Sequence, residues 1–238
     1  MVSALRRLYG SHLVDADEYR IQLDEAGALV VAREQGDFIR VFYESKWGSR
    51  SLGLIPVSIW PLRLDVKPHP PRGWRVQVKR ALVRLREPLN MLKGSYARLA
   101  VELPVDLGVY VNGALAGSLP VGRVKYAVYG TPDLGDPCRY VDFRILEEIP
   151  GYLRGSLVVD VHSRFEEDSV QIARIVVPTL GLGSYLARGE KPVFSRVSLE
   201  VHSKTTGLVR AKREPSVEAE EEVLALQPDS FYLMRFGF

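Results

Sequence analysis

Hydrophobic and polar residues alternate along most of this chain. Between residues 97 and 111, every odd position is apolar and most even positions are polar or small. Because successive side chains of a β-strand point to opposite faces of the sheet, this pattern predicts strands with one buried and one solvated face. Pro104 has no N–H to donate to a neighbouring strand. We therefore expect either two strands around a bend at Pro104 or an edge strand.

The same alternation predicts strands in the remainder of the chain. Residues 28–33 and 38–44 form a predicted hairpin through Gln35, Gly36 and Asp37. Between residues 74 and 85 the apolar phase slips by one position, which is typical of a β-bulge. The other predicted strands cover residues 54–66, 123–129, 139–146, 156–162, 169–177, 193–202 and 208–213.

Glycine and proline interrupt the predicted strands at intervals of roughly 8–15 residues, which is typical of all-β folds. We predict a large antiparallel β-sandwich or a partly closed barrel. A minor terminal helix is predicted at residues 216–227, between two prolines, and a single short turn at residues 3–9. We expect one domain over residues 1–238. The one candidate seam is the glycine-rich segment 112–122.

The amino-acid composition predicts where the protein is located, but it says little about its function. The chain has 238 residues, of which 46% are hydrophobic and 26% charged, as in ordinary globular domains. Its single cysteine, Cys138, cannot form an internal disulfide, which indicates a reducing compartment and predicts a cytoplasmic location. No apolar stretch approaches the ~20 residues of a membrane span, so we expect no membrane insertion. Arginine outnumbers lysine 24 to 8 and amides are scarce, which indicates a thermophilic protein.

One central block resembles a known family. It runs from Lys125 to Pro132, continues through Gly135, and ends with Cys138, Arg139 and Tyr140. The block is similar to the pattern KYxLYGxP…G…CRY of an archaeal, β-rich family of conserved proteins of unknown function. This resemblance implies a β-rich fold over most of the chain. Some members are encoded near small-conductance mechanosensitive channels, so the resemblance also implies an accessory role at such a membrane channel. It supplies no catalytic residues.

Two aromatic regions are candidate partner-binding sites. Tyr129, Arg139 and Tyr140 flank a turn rich in glycine and proline, where they form an exposed platform for a protein partner or else brace the turn. The chain also ends in an aromatic segment, which either closes the core as a last strand or docks on a partner. We favour closure, because an exposed apolar tail is an aggregation hazard. The aromatic residues of this segment are Phe231, Tyr232, Phe236 and Phe238.

These sites support the first functional hypothesis, a non-enzymatic interaction protein. The sequence contains no Ser-His-Asp order, HExxH, CxxC or paired catalytic carboxylates, and it indicates no cofactor. We therefore predict a cytoplasmic protein that binds a protein partner, with a mechanosensitive-type membrane channel as the partner that the family resemblance implies.

A second hypothesis rests on two similar segments in which a carboxylate and an imidazole stand two residues apart. Asp160 and His162 lie in the first segment, and Glu200 and His202 in the second. Residues two apart on a strand share a face. Neighbouring strands in register would bring the four side chains into a nitrogen and oxygen site for Zn, Mn or Fe, as in a metal-dependent enzyme or metal-binding protein. Alternatively, the interleaved apolar residues define the buried face, which leaves these groups on the solvated face without a metal.

A third hypothesis rests on the basic stretch at residues 72–98, which carries eight basic side chains and a single acid. Interleaved with aromatic residues, such a stretch could bind RNA or another anionic surface. The net charge of +3 argues against nucleic-acid binding, and the alternative is a solvated face of an arginine-rich protein. The residues that would carry the binding are Arg72, Arg75, Lys79, Arg84 and Arg86.

Overall fold

The computed structural model describes residues 8–23, 26–71, 78–166, 168–187, 191–217, 221–224 and 231–238. The described chain is built almost entirely of strands, which confirms the all-β prediction. In chain order the strands are β1 Gly10–Val14, β2 Glu18–Gln22, β3 Ala28–Glu34, β4 Phe38–Ser45, β5 Gly48–Pro56, β6 Leu62–His69, β7 Arg80–Leu92, β8 Tyr96–Pro104, β9 Asp106–Val111, β10 Ala114–Pro120, β11 Lys125–Tyr129, β12 Asp136–Val141, β13 Arg154–Ser163, β14 Ser169–Pro178, β15 Ser184–Ala187, β16 Lys191–Val201, β17 Gly207–Pro215, β18 Glu221–Leu224 and β19 Phe231–Met234.

The strands form four sheets. Sheet A has the order β1-β6-β9-β10, sheet B has β2-β3-β4-β5, and sheet C has β11-β12-β7-β14. Sheet D has the order β18-β15-β16-β13-β8, with β17 also beside β16 and β19 beside β17. Pairing is antiparallel except for β12 with β7 and β13 with β16, which are parallel. None of the described sheets closes on itself, so the barrel alternative is wrong and the open, sandwich-like arrangement is confirmed.

A single hydrophobic core connects the four sheets. Leu64 of sheet A, Leu29 of sheet B, Val83 of sheet C and Val159 of sheet D are all buried members of one cluster. Leu64, Val83 and Val159 come from alternating segments, whereas Leu29 lies in a run of four buried residues of β3, so burial of apolar side chains is what drives the sheets together.

A buried polar cluster joins three of the sheets inside this core. Arg139 of β12 donates a hydrogen bond from Nη1 to Oδ1 of Asp106 in β9 at 2.5 Å, and both side chains are only 1% exposed. Arg50 of β5 donates to the carbonyl oxygens of Pro120 and Gly122 at 2.5 and 2.8 Å. Burial, followed by repulsion from Arg139, lowers the pKa of Arg50. These charged groups therefore connect sheets A, B and C at the centre of the molecule.

Several strand predictions are confirmed. Residues 97–111 are two strands, β8 and β9, divided after Pro104. The hairpin of β3 and β4 has the predicted turn at residues 35–37. The prediction of a single strand at residues 54–66 is wrong, because β5 ends at Pro56 and β6 begins at Leu62.

The prediction of a terminal helix at residues 216–227 is wrong, because the described residues 221–224 form strand β18, which pairs with β15. The predicted short turn at residues 3–9 stays a prediction, because residues 3–7 lie outside the described ranges. The described helix, α1 Phe143–Glu147, instead interrupts a predicted strand, because the side chain of Asp142 accepts a hydrogen bond from the backbone N of Ile145 at 2.9 Å. In the residues described, no helix is long and apolar enough to cross a membrane.

Candidate functional site

One face of sheet C brings together residues from three different strands. Tyr140 of β12 lies opposite Leu82 of β7, and Arg174 of β14 lies opposite Arg84 of β7. Directly opposed residues share a face, as do residues two apart on one strand. We call the face that carries these four side chains the basic face of sheet C.

A cavity of about 320 Å³ opens on the basic face. Its volume falls at the lower end of the range of about 300–1,000 Å³ that is typical of ligand sites. We call it the basic cavity, and its lining residues are Leu82, Arg84, Tyr140, Ala173, Arg174 and Phe238. The lining thus combines two guanidinium groups and two aromatic rings with the apolar side chains of Leu82 and Ala173, and no side chain among its described residues is a carboxylate.

The two guanidinium groups give the basic cavity its electrostatic character. Arg84 and Arg174 are exposed and directly opposite each other on neighbouring antiparallel strands, where like charges destabilise a sheet. Arg174 donates a hydrogen bond from Nη2 to the carbonyl oxygen of Phe236 at 3.4 Å. Within the part of the chain that the structure describes, neither guanidinium is paired with a carboxylate. An anion placed between them would offset their repulsion, and guanidinium groups match carboxylate and phosphate geometry.

The C-terminal segment forms one wall of the basic cavity. Strand β19 pairs with β17, which confirms that this segment closes the fold as a last strand. The backbone N of Phe236 donates to the hydroxyl oxygen of Tyr129 at 3.2 Å, and that hydroxyl donates to the carbonyl oxygen of Gly237 at 2.7 Å. A side chain at Gly130, which has φ +123°, would meet the ring of Phe236 at 2.7 Å. The segment therefore lies tightly against the turn after β11 and carries Phe238 to the cavity.

The aromatic residues of the C-terminal segment have different environments. Tyr232 is buried, and its hydroxyl donates to Oδ2 of Asp136 at 2.5 Å. Met234 is also buried, whereas Phe231 is 62% exposed. Phe236 and Phe238 are half-buried. The two regions that the sequence predicted as separate partner-binding sites thus contact each other.

The exposed platform predicted from Tyr129, Arg139 and Tyr140 does not form. Tyr129 is fully buried beneath the C-terminal segment, and Arg139 points into the core toward Asp106. The physical reason is the alternation of β12, which turns Arg139 and Tyr140 to opposite faces of sheet C. Of the three predicted residues, only Tyr140 reaches the basic cavity. The adjacent Cys138 is buried, and burial raises the pKa of its thiol to about 12.

The residues predicted to bind RNA are dispersed. Arg72 and Arg75 lie outside the described residues. Lys79 is exposed just before β7, and the guanidinium of Arg86 lies 5.4 Å from the ring centroid of Phe143. Arg84 alone lines the basic cavity.

The residues of the predicted metal site lie on neighbouring strands but do not assemble. Strands β13 and β16 are parallel neighbours, and His162 lies opposite Glu200. The imidazole of His202 lies 4.0 Å from the carboxylate of Glu200. Among the side chains that the structure describes, no group of three or more His, Cys, Asp and Glu could hold a metal ion.

Asp160 is the centre of a cationic cluster instead. The sequence placed it on the solvated face, but it is only 3% exposed, because longer basic side chains cover it. Its Oδ1 accepts hydrogen bonds from the hydroxyl of Tyr96 at 2.7 Å and from Nε of Arg98 at 2.9 Å. Arg196 and Lys212 approach its Oδ2 at 3.9 and 3.6 Å. With three cations around it, Asp160 serves as their counter-charge.

This cluster makes stability depend on pH. Burial alone raises the pKa of Asp160, but the hydrogen bonds from Tyr96 and Arg98 outweigh it, and the pKa lies below the ordinary value. A carboxyl whose folded-state pKa is lowered stabilises the fold above its unfolded pKa, about 4, and loses this effect as pH falls through the folded value. We expect Asp160→Asn to lower the melting temperature at pH 7, with a difference from wild type that shrinks below about pH 4. Thermal scans between pH 7 and pH 3 measure this. The exposed Glu18→Gln is the control, and a constant difference at all pH values would contradict the prediction.

The sequence did not indicate Leu82, Ala173 and Arg174 as site residues. They belong to ordinary alternating segments, and only the pairing of β14 with β7 places Arg174 opposite Arg84. A register irregularity between Ile172 and Arg174 sets that alignment. The sequence shows only that an arginine lies in each of two predicted strands. It does not show that these two strands become neighbours.

Comparison with known proteins identifies a family but no activity. A family model described as "Protein of unknown function (DUF432)" matches residues 8–235. The match covers all four sheets and every lining residue of the basic cavity except Phe238. No curated protein and no solved structure matches the chain.

Proposed function

The chain belongs to this family of unknown function, and from its geometry we propose that it is a non-enzymatic binding protein of the cytoplasm. In this proposal the basic cavity receives an acidic segment of a partner protein. The observation that carries the proposal is the direct opposition of Arg84 and Arg174, without a paired carboxylate in the described residues, at a cavity of about 320 Å³. A carboxylate from a partner would replace the repulsion between them by two charge-assisted hydrogen bonds.

The other lining residues support binding over catalysis. Tyr140 and Phe238 offer ring surfaces that contact the apolar part of an incoming side chain. Acid–base or nucleophilic chemistry usually employs a carboxylate, imidazole, thiol or activated hydroxyl. Among the lining residues that the structure describes, Tyr140 is the one that carries a hydroxyl. Aromatic and arginine side chains are also the types that dominate the energy of protein interfaces.

The family resemblance suggests a first partner to test. We propose the soluble part of a mechanosensitive-type membrane channel, because such channels are encoded beside some members of the resembling family. An acidic segment on the channel would enter the basic cavity. Co-elution of the purified protein with a purified channel, lost on substitution of Arg84 and Arg174, would support this identity.

Binding of an acidic peptide tests the function itself. We expect the Arg84→Gln/Arg174→Gln double variant to bind a fluorescently labelled octaglutamate peptide at least tenfold more weakly than wild type, because charge-assisted hydrogen bonds contribute about 1.5–3 kcal/mol each. Fluorescence anisotropy measures the dissociation constants at fixed salt. The double variant should keep its fold, because both side chains are exposed.

Arg40→Gln is the matched control, since Arg40 is a half-exposed arginine on sheet B, far from the basic cavity in the sheet order. It should leave binding unchanged. Equal weakening by Arg40→Gln, or no weakening by the double variant, would contradict the proposed function.

A further inference from the structure

Strand β11 is the last strand of sheet C on one side. It pairs with β12 through five consecutive residue pairs, without a bulge or register shift. No other strand in the described ranges pairs with its outer edge. An edge strand leaves a row of backbone N–H and C=O groups as a template for another strand. Natural edges are usually blocked by proline, bulges or several charges, but β11 has the sequence Lys-Tyr-Ala-Val-Tyr.

Exposed apolar side chains lie along this edge. Tyr126 and Val128 are 42% and 52% exposed, and they project from the same face because they are two apart. Leu134, in the turn between β11 and β12, is 77% exposed. Further into the sheet, the same face carries the buried Arg139 opposite Tyr126. The face that packs in the core thus continues outward as a partly exposed apolar strip.

The opposite face of β11 has the opposite character. Lys125 lies directly across from Tyr140 and therefore belongs to the basic face of sheet C. In the described residues Lys125 has no paired carboxylate. An added strand would meet apolar groups on one face and positive charge on the other. Because side chains of a strand alternate between faces, the complementary strand alternates apolar and acidic residues.

We propose that the β11 edge accepts an added β-strand from the partner protein, and that this strand alternates apolar and acidic residues. Its apolar residues contact Tyr126, Val128 and Leu134, and its acidic residues face Lys125. This inference rests on the proposed function, since it adds a strand of the same partner, bound at the β11 edge, to the acidic segment bound in the basic cavity. Backbone hydrogen bonds supply the pairing, and the alternating side chains supply the selectivity.

A second copy of this chain is the competing occupant. If β11 paired antiparallel with the β11 of a second copy, the lysines of both copies would lie on or near the basic faces. The second copy would offer no acidic side chain to Lys125, because β11 contains none. Charge complementarity therefore favours a different, acidic strand.

The test uses two labelled peptides of identical composition with the full-length protein. One alternates valine and glutamate through four repeats, and the other has four valines followed by four glutamates. We expect the alternating peptide to bind at least tenfold more tightly. Val128→Lys, which blocks the edge with a charge, should abolish this tenfold preference. Leu54→Lys, at a similarly exposed leucine on the edge strand β5, should preserve it.

Hydrogen exchange provides a second readout. Amides of β11 should gain protection when the alternating peptide binds and should not gain it with the block peptide. Equal affinity of the two peptides, or an unchanged preference in Val128→Lys, would overturn the inference. Dimerisation that Val128→Lys abolishes, measured by analytical ultracentrifugation, would also overturn it in favour of self-pairing.

The two proposals fail in different experiments. Failure of the basic cavity would appear as octaglutamate binding that is insensitive to the Arg84→Gln/Arg174→Gln substitutions. If the edge proposal alone fails, the Arg84→Gln/Arg174→Gln substitutions will still weaken octaglutamate binding, both in the wild-type chain and in the Val128→Lys variant. The alternating peptide will then bind no more tightly than the block peptide.

Discussion

Replacement of Arg139 by methionine is expected to lower the free energy of unfolding by about 3–5 kcal/mol. The substitution removes the guanidinium that pairs with Asp106 at 2.5 Å, where both side chains are 1% exposed. It leaves a carboxylate in the core without this partner, and an uncompensated buried charge is strongly destabilising. Urea unfolding followed by circular dichroism measures the loss. Asp106→Asn should have an effect in the same direction, because Arg139 and Arg50 would then face each other without that negative charge.

A double variant separates the charge effect from lost packing. Asp106→Leu/Arg139→Met removes both charges, and we expect it to recover most of the stability that Arg139→Met loses. Arg40→Gln on the surface should change the free energy of unfolding by less than about 0.5 kcal/mol. A loss below about 1 kcal/mol in Arg139→Met would show that the buried pair does not stabilise the sheet contacts.

Truncation after residue 230 is expected to destabilise the protein by roughly 3–6 kcal/mol, since each fully buried large apolar side chain contributes about 1.5–3 kcal/mol. The deletion removes the buried Tyr232 and Met234 and the hydrogen-bonded pairing of β19 with β17. It also uncovers Tyr129, whose hydroxyl bonds to the backbone of Phe236 and Gly237. Urea unfolding and size-exclusion chromatography measure stability and association.

Phe231→Ala is the matched control for the truncation, because Phe231 belongs to the same strand but is 62% exposed. It should unfold at nearly the same urea concentration as wild type. A truncated chain that unfolds at the wild-type concentration would show that the C-terminal segment adds no stability to the sheets.

Strand positions were predictable because they depend on local periodicity. The alternation at residues 97–111 indicates which side chains are buried, and Pro104 indicates where strand pairing is interrupted. These two features together predicted strands β8 and β9. The helix α1 was missed because one capping side chain, Asp142, outweighs a short apolar pattern. A helix of five residues is too short to establish a periodicity of its own.

The candidate site was only partly predictable, because it depends on which strands become neighbours. The sequence identified Arg84 in a basic stretch, and it identified Tyr140 and Phe238 as aromatic candidates. It could not show that β12 lies parallel to β7, which brings Tyr140 beside Leu82. For the same reason it placed Arg139 and Asp160 at the surface, although each is buried by contacts with residues distant in the chain.

The C-terminal wall of the basic cavity affects the order of events during folding. Tyr129 and Gly237, which join this wall to sheet C, are 108 residues apart in the chain. Contacts between such distant residues form late, because the entropy of closing a long loop opposes them until the intervening strands have paired. We therefore expect the sheets to pair before this wall closes, so that the basic cavity is completed in one of the last steps of folding, after most of the secondary structure is in place.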